Sequence, residues 1–145
     1  MNFHKALIVS LCLGSLADAN LPQRFPSHNY VLTNFNVDQN YIHNSEFQRF
    51  VQQNEQKYRR IFSASMQRAN LIVPTIKDQL IERGLSPMFF YISLVESSLK
   101  PWAVSRSKAT GLWQFKRGAG TDQKLTMNQV VDERYDPIRS TQAAM

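Results

Sequence analysis

The run Ser86-Pro87-Met88-Phe89-Phe90-Tyr91-Ile92-Ser93-Leu94-Val95-Glu96-Ser97-Ser98 is an apolar block with a polar start and an abrupt acidic end. Ser86 suits a helix N-cap and Pro87 the first helical position, where its missing N–H costs nothing. The block is apolar nearly all round, which predicts a buried central helix from Pro87 to about Ser98. Glu96 closes it, so its carboxyl is expected to be poorly solvated. Desolvation disfavours a charged carboxylate, and a carboxyl kept neutral is what a general acid for a glycosidic oxygen requires. The plainer alternative is a glutamate that is exposed at a helix end or paired with Lys100 or Arg106. Lys100-Pro101 stops the helix. A polar loop over 105–110 follows, then Gly111-Leu112-Trp113-Gln114-Phe115, where an amide beside an aromatic could hydrogen-bond and stack on a sugar.

Working back from this block, Pro74 suits the first turn of a preceding helix, with Ile76, Leu80 and Ile81 on its apolar face. Arg83-Gly84 ends that helix with a cation and a residue free to turn left-handed. Before it, Ser45 and Gln48 fit a capping box that opens a helix carrying Phe47, Phe50, Val51, Tyr58, Ile61 and Phe62 on one face. Residues 20–44 show no sustained period and read as an extended lead-in. Residues 1–19 read as a secretory signal: Lys5 in a short basic start, an apolar run from Ala6 to Leu16, and small residues at Ala17 and Ala19 for cleavage. That run is too short to span a bilayer.

Working forward, Gly118 and Gly120 mark a loop. Asp136-Pro137 then caps a last helix from Ile138 to Met145. Asp132, Glu133 and Asp136 could offer a second carboxylate, but their neighbour Arg134 favours pairing and capping instead. Ser97 and Ser105 are hydroxyls that can either meet a substrate or cap turns.

Composition narrows the partners. The 145 residues carry a net charge of +6 and 43% hydrophobic residues, which fits a small globular domain with an anionic partner. No basic cluster interleaved with aromatics points to nucleic acid. Cys12, the single cysteine, lies in the leader, so no disulfide is expected after cleavage. His4, His28 and His43 show no metal-ligand spacing, and neither a metal nor a cofactor is expected.

Glu96-Ser97, Ser105, Gly111-Leu112-Trp113-Gln114-Phe115 and Asp132-Glu133-Arg134-Tyr135-Asp136-Pro137 together resemble the SLT-type, goose-lysozyme-like lytic transglycosylase domain. More narrowly they are similar to the membrane-bound lytic murein transglycosylase D group, from about Phe47 to the end. The resemblance implies an all-α, lysozyme-like helical domain over 45–145 in an exported protein of the periplasm or cell envelope. It leaves membrane association and oligomeric state open. It implies cleavage of the MurNAc-GlcNAc β-1,4 bond of peptidoglycan strands, with Glu96 as sole catalytic acid and base and formation of 1,6-anhydro-MurNAc without water. Ser105 and Gln114 are the implied substrate-binding positions, and Ser97, beside Glu96, joins them as a candidate on its hydroxyl. Lys116-Arg117 departs from the family's usual Met-Pro. An Ala-Tyr-Asn-x-Gly element and LysM repeats do not occur before Met145, so the domain is expected to be C-terminally incomplete. The alternatives are therefore a catalytically inactive glycan-binding remnant or a hydrolytic lysozyme.

Overall fold

A computed structural model describes residues 21–145, so the leader and its cysteine lie outside the described residues. The described chain is helical. Among the described residues the only β-pairing is three isolated antiparallel bridges, Val104 with Thr110, Thr110 with Phe115, and Met127 with Asp132. Two compact units are present, one ending at Phe62 and the other running from Ser63 to Met145.

In the first unit, α1 (Leu21–Arg24), α2 (His28–Asn34) and a 3-10 turn at Gln39–His43 replace the extended lead-in expected there. Leu21 with Phe25, and Val31 and Leu32 with Phe35, recur at helical spacing, and all five are buried. These helices are too short for a periodicity window to register. The polar residues that suggested irregular chain are their caps. Asn36 is left-handed (φ 50°), and Val37 N–H returns to Leu32 C=O at 2.9 Å, which closes α2 in a Schellman-type turn. Asp38 caps the 3-10 turn by accepting from Asn40 N at 2.8 Å.

The long helix α3 (Ser45–Arg68) is present, but its cap is Asn44 rather than Ser45. Asn44 Oδ1 accepts from Phe47 N at 2.9 Å, and its C=O accepts the first helical bond from Gln48 N. The expected capping box is thus displaced by one residue, since Asn caps as well as Ser and stands one position earlier. Within the first unit Glu55 binds both Arg24 and Arg59. Burial pushes its carboxyl upward, but the two guanidinium hydrogen bonds outweigh that and hold it below the usual range.

The second unit contains α4 (Ile72–Glu82), a 3-10 turn at Pro87–Phe89 leading into α5 (Phe90–Ser97), α6 (Arg117–Asp122), a 3-10 turn at Glu133–Tyr135, and α7 (Pro137–Ala144). Helix α4 packs against α5 and α7, with Val73, Ile76 and Leu80 buried. Ile81, expected on that face, is instead 56% exposed. Gly84 (φ 71°) closes α4 as its sequence predicts. Helix α6 forms across Gly118 and Gly120, where a loop was expected. Glycine costs a helix only about 1 kcal/mol, and Gly120 is buried against the Met127 side chain.

Candidate active site

Helix α5 begins as its sequence predicts, with Ser86 Oγ accepting from Met88 N at 3.3 Å and Pro87 following. Its burial is one-sided. Phe90, Ser93, Leu94 and Ser97 are buried, whereas Ile92 is 36% exposed and Glu96 lies on the open side. The expected desolvation of Glu96 is therefore not supplied by the described residues. An apolar run covers several faces of a helix, but neighbours in this unit occupy only one of them. Glu96 makes no ion pair or hydrogen bond among the described residues, so neither Lys100 nor Arg106 takes up its charge.

Immediately after Glu96-Ser97 the chain reverses. Ser98 (φ 54°) and Leu99 (φ 56°) are two successive left-handed residues, a conformation costing roughly 1–2 kcal/mol per non-glycine residue. Leu99 is fully buried, and its burial offsets part of that cost. Arg68 donates to Ser98 C=O at 2.8 Å and places a cation on the helix C-terminus. The Ser97 hydroxyl donates to Ser93 C=O at 3.0 Å and accepts from Lys100 N at 3.3 Å. Of its two readings, the structure places Ser97 in the turn, as a cap of the helix that carries Glu96.

The chain then forms a compact array of bridged loops. Ser105 and Ala109 pair through Ser105 N to Ala109 C=O at 2.8 Å, and the Ser105 hydroxyl accepts from Ala109 N at 3.0 Å. Thr110 and Phe115 exchange both backbone bonds at 3.0 Å, so that 111–114 forms the loop between them. Gly111 N donates to Ala103 C=O at 2.8 Å, and Gln114 Nε2 donates to Gly111 C=O at 2.9 Å and to Ala103 C=O at 3.4 Å. Ser105 and Gln114 thus occupy neighbouring segments of one array. The Gln114 carbonyl oxygen has no hydrogen-bond partner among the described residues. Trp113 is half-buried, and its indole N–H donates to Thr141 on α7 at 2.9 Å. It anchors a helix and has no free polar edge.

What holds the array is the Asp132–Arg134 pair, which the sequence suggested as a pairing without indicating its burial. Arg134 is buried and meets Asp132 through Nε at 2.9 Å and Nη2 at 2.6 Å. Its Nη1 reaches Phe115 C=O at 3.2 Å and Lys108 C=O at 3.4 Å. The Arg134 backbone also lies against Gly111: a Cβ added there would stand 1.8 Å from Arg134 O. The signal for this was present in the spacing of Asp132 and Arg134, but nothing local says that the guanidinium turns inward. The hydrogen bond from Arg134 outweighs burial and holds the Asp132 carboxyl below its usual range.

The other acidic candidates are equally committed. Glu133 accepts from Thr126 N at 2.7 Å and Arg139 Nε at 3.0 Å. Asp136 caps α7 by accepting from Ile138 N at 2.8 Å and Arg139 N at 3.0 Å. Asp132, Glu133 and Asp136 therefore act as the pairing and capping groups their context predicts, which leaves Glu96 as the uncommitted carboxylate of this set.

A helix delivering an unpaired glutamate at its end, followed by a glycine-led bridged loop bearing Gln114, is the arrangement of an all-α, lysozyme-like domain. The Transglycosylase SLT domain family matches residues 74–145, and through that segment the chain belongs to it. The match begins at Pro74, later than the resemblance expected from about Phe47. Membrane-bound lytic murein transglycosylase D of Escherichia coli K12 is 31% identical over 70 residues, which cover 48% of this chain and 16% of that protein. The protein of the same name in Escherichia coli O6:H1 gives the same figures. The matched stretch thus spans about one sixth of these relatives.

Proposed function

We propose that this chain acts on peptidoglycan as an exported lytic transglycosylase, with Glu96 as its single catalytic acid and base. The observation that carries this reading is the contrast between Glu96, at the end of α5, and the three acidic candidates that follow the bridged loops. Glu96 is exposed and unpaired, while Asp132, Glu133 and Asp136 are all engaged. Ordinary glycosidases need two carboxyl groups flanking the scissile bond. Among these four candidates only Glu96 is free, which suits a reaction in which the substrate supplies the nucleophile.

In that reaction Glu96 protonates the glycosidic oxygen between MurNAc and GlcNAc as the C1–O bond breaks. The substrate's own 2-acetamido group stabilises the cationic centre. The Glu96 carboxylate then takes the proton of the C6 hydroxyl, O6 bonds to C1, and a 1,6-anhydro ring closes with no water consumed. A glycan strand seated over the open side of α5 would exclude water from the reacting bond. Ser105 and the free Gln114 carbonyl are the substrate-facing polar groups, and Ser97 serves by fixing the helix end. The 1–19 leader directs the protein to the periplasm or cell envelope. Among the described residues no helix is long and apolar enough to cross a membrane.

Digestion of purified peptidoglycan followed by mass analysis tests this. Anhydro-ended muropeptides that disappear with Glu96→Gln are the expected result. Reducing ends would assign hydrolysis instead, and an intact polymer after exposure to folded protein would leave only glycan binding.

A further inference from the structure

We propose that Trp102 is a stacking platform for a hexosamine ring of the glycan, one saccharide-binding position beyond Ser105 and Gln114. This rests on the glycan-directed reading above and adds a residue to it. Trp102 stands in the turn between the helix that carries Glu96 and the bridged loops that carry Gln114. It is 60% exposed, and neither its indole N–H nor its ring has a partner among the described residues. A lone exposed apolar residue needs no explanation by itself. What sets Trp102 apart is its mount.

Pro101 fixes the backbone on one side. On the other, Ala103 N donates to Lys100 C=O at 3.1 Å, and Ala103 C=O accepts from both Gly111 N and the Gln114 side chain. The residue after that, Val104, is bridged to Thr110. An indole is thus left in water on a backbone that cannot yield to bury it, one residue from the carbonyl that holds the Gln114 amide. An aromatic face supplies apolar contact at little conformational cost, and its N–H can meet a hydroxyl or acetamido oxygen. That pairing of apolar ring and polar edge suits the C–H face of a hexosamine. The surroundings suit a polyanionic strand: from Ser97 to Thr121 the chain has Lys100, Arg106, Lys108, Lys116 and Arg117 and no acidic residue. Steering by that charge would bring the strand to the platform without contributing its specificity.

The chain has two tryptophans, and the other, Trp113, is half-buried and bonded to Thr141, so intrinsic fluorescence can tell them apart. The full chain is titrated with an oligomer of β-1,4-linked N-acetylglucosamine. A shift in emission that persists in Trp113→Phe, disappears in Trp102→Ala and returns in Trp102→Tyr as tyrosine quenching is expected. Affinity measured by calorimetry should fall about tenfold in Trp102→Ala, with thermal unfolding unchanged because the side chain is exposed. If the parent binds and Trp102→Ala binds within twofold of it, the platform is overturned while the glycan-directed reading stands. If the parent does not bind the oligomer at all, both fall.

Discussion

Replacing Gly111 by alanine tests the central packing claim of the second unit. The new Cβ would lie 1.8 Å from Arg134 O and 2.8 Å from Arg134 C, both backbone atoms, so relief requires one segment to move by about an ångström or more. Gly111 also sits at φ 83°, which costs an alanine roughly 1–2 kcal/mol. Overpacking of this kind typically adds about 1–3 kcal/mol, so the combined loss is on the order of 2–5 kcal/mol. Two other glycines separate the contributions. Gly84 has φ 71° with open space around it, so Gly84→Ala carries the conformational cost alone, about 1–2 kcal/mol. Gly118 lies in α6, also in open space, and Gly118→Ala should stabilise by up to about 1 kcal/mol through helix propensity. Urea unfolding followed by circular dichroism and by Trp113 fluorescence would rank the three. The second probe reports on the loop that the clash displaces, because Trp113 is bonded to α7. A Gly111→Ala cost no larger than that of Gly84→Ala would refute the close approach of Arg134.

Asn44→Ala should destabilise α3 by about 1 kcal/mol while Ser45→Ala is nearly neutral, and the reverse order in thermal melts would restore the Ser45 cap. The Asp132–Arg134 pair predicts a pH dependence. Asp132 titrates lower when folded than when unfolded, so its contribution is complete above the ordinary value of about 3.9 and is lost as pH falls through the folded value. Asp132→Asn should therefore be less stable than the parent at pH 6, with a gap that narrows in strong acid. An unchanged gap from neutral pH down to about pH 2 would show that the carboxylate contributes nothing to the fold.

The elements legible from sequence share a short range. Ser86-Pro87 opening the segment before α5, Arg83-Gly84 closing α4 and Asp136-Pro137 capping α7 all depend on bonds made within about four residues. Local chemistry also explains the misses at the start of the described chain. Asn36, Asp38 and Asn44 are caps and turn residues, but the helices they bound are too short for periodicity to rise above noise. Gly118 and Gly120 misled in the other direction, since tertiary packing outweighs a small propensity cost.

At the candidate site the sequence alone determined the order of parts: an apolar helix ending in Glu96, a turn, a loop with Ser105, and a glycine-led segment with Gln114. It also determined that Asp132, Glu133 and Asp136 stand where pairing and capping compete for them. Only the tertiary structure decided which side of α5 remains open and that Ser97 is spent on the turn. It also decided that Arg134 turns inward to hold the loops from beneath Gly111. The reason is physical. A cap is satisfied by neighbours in the chain, whereas the turn after Glu96 and the burial of Arg134 depend on segments up to 30 residues apart that meet only on folding.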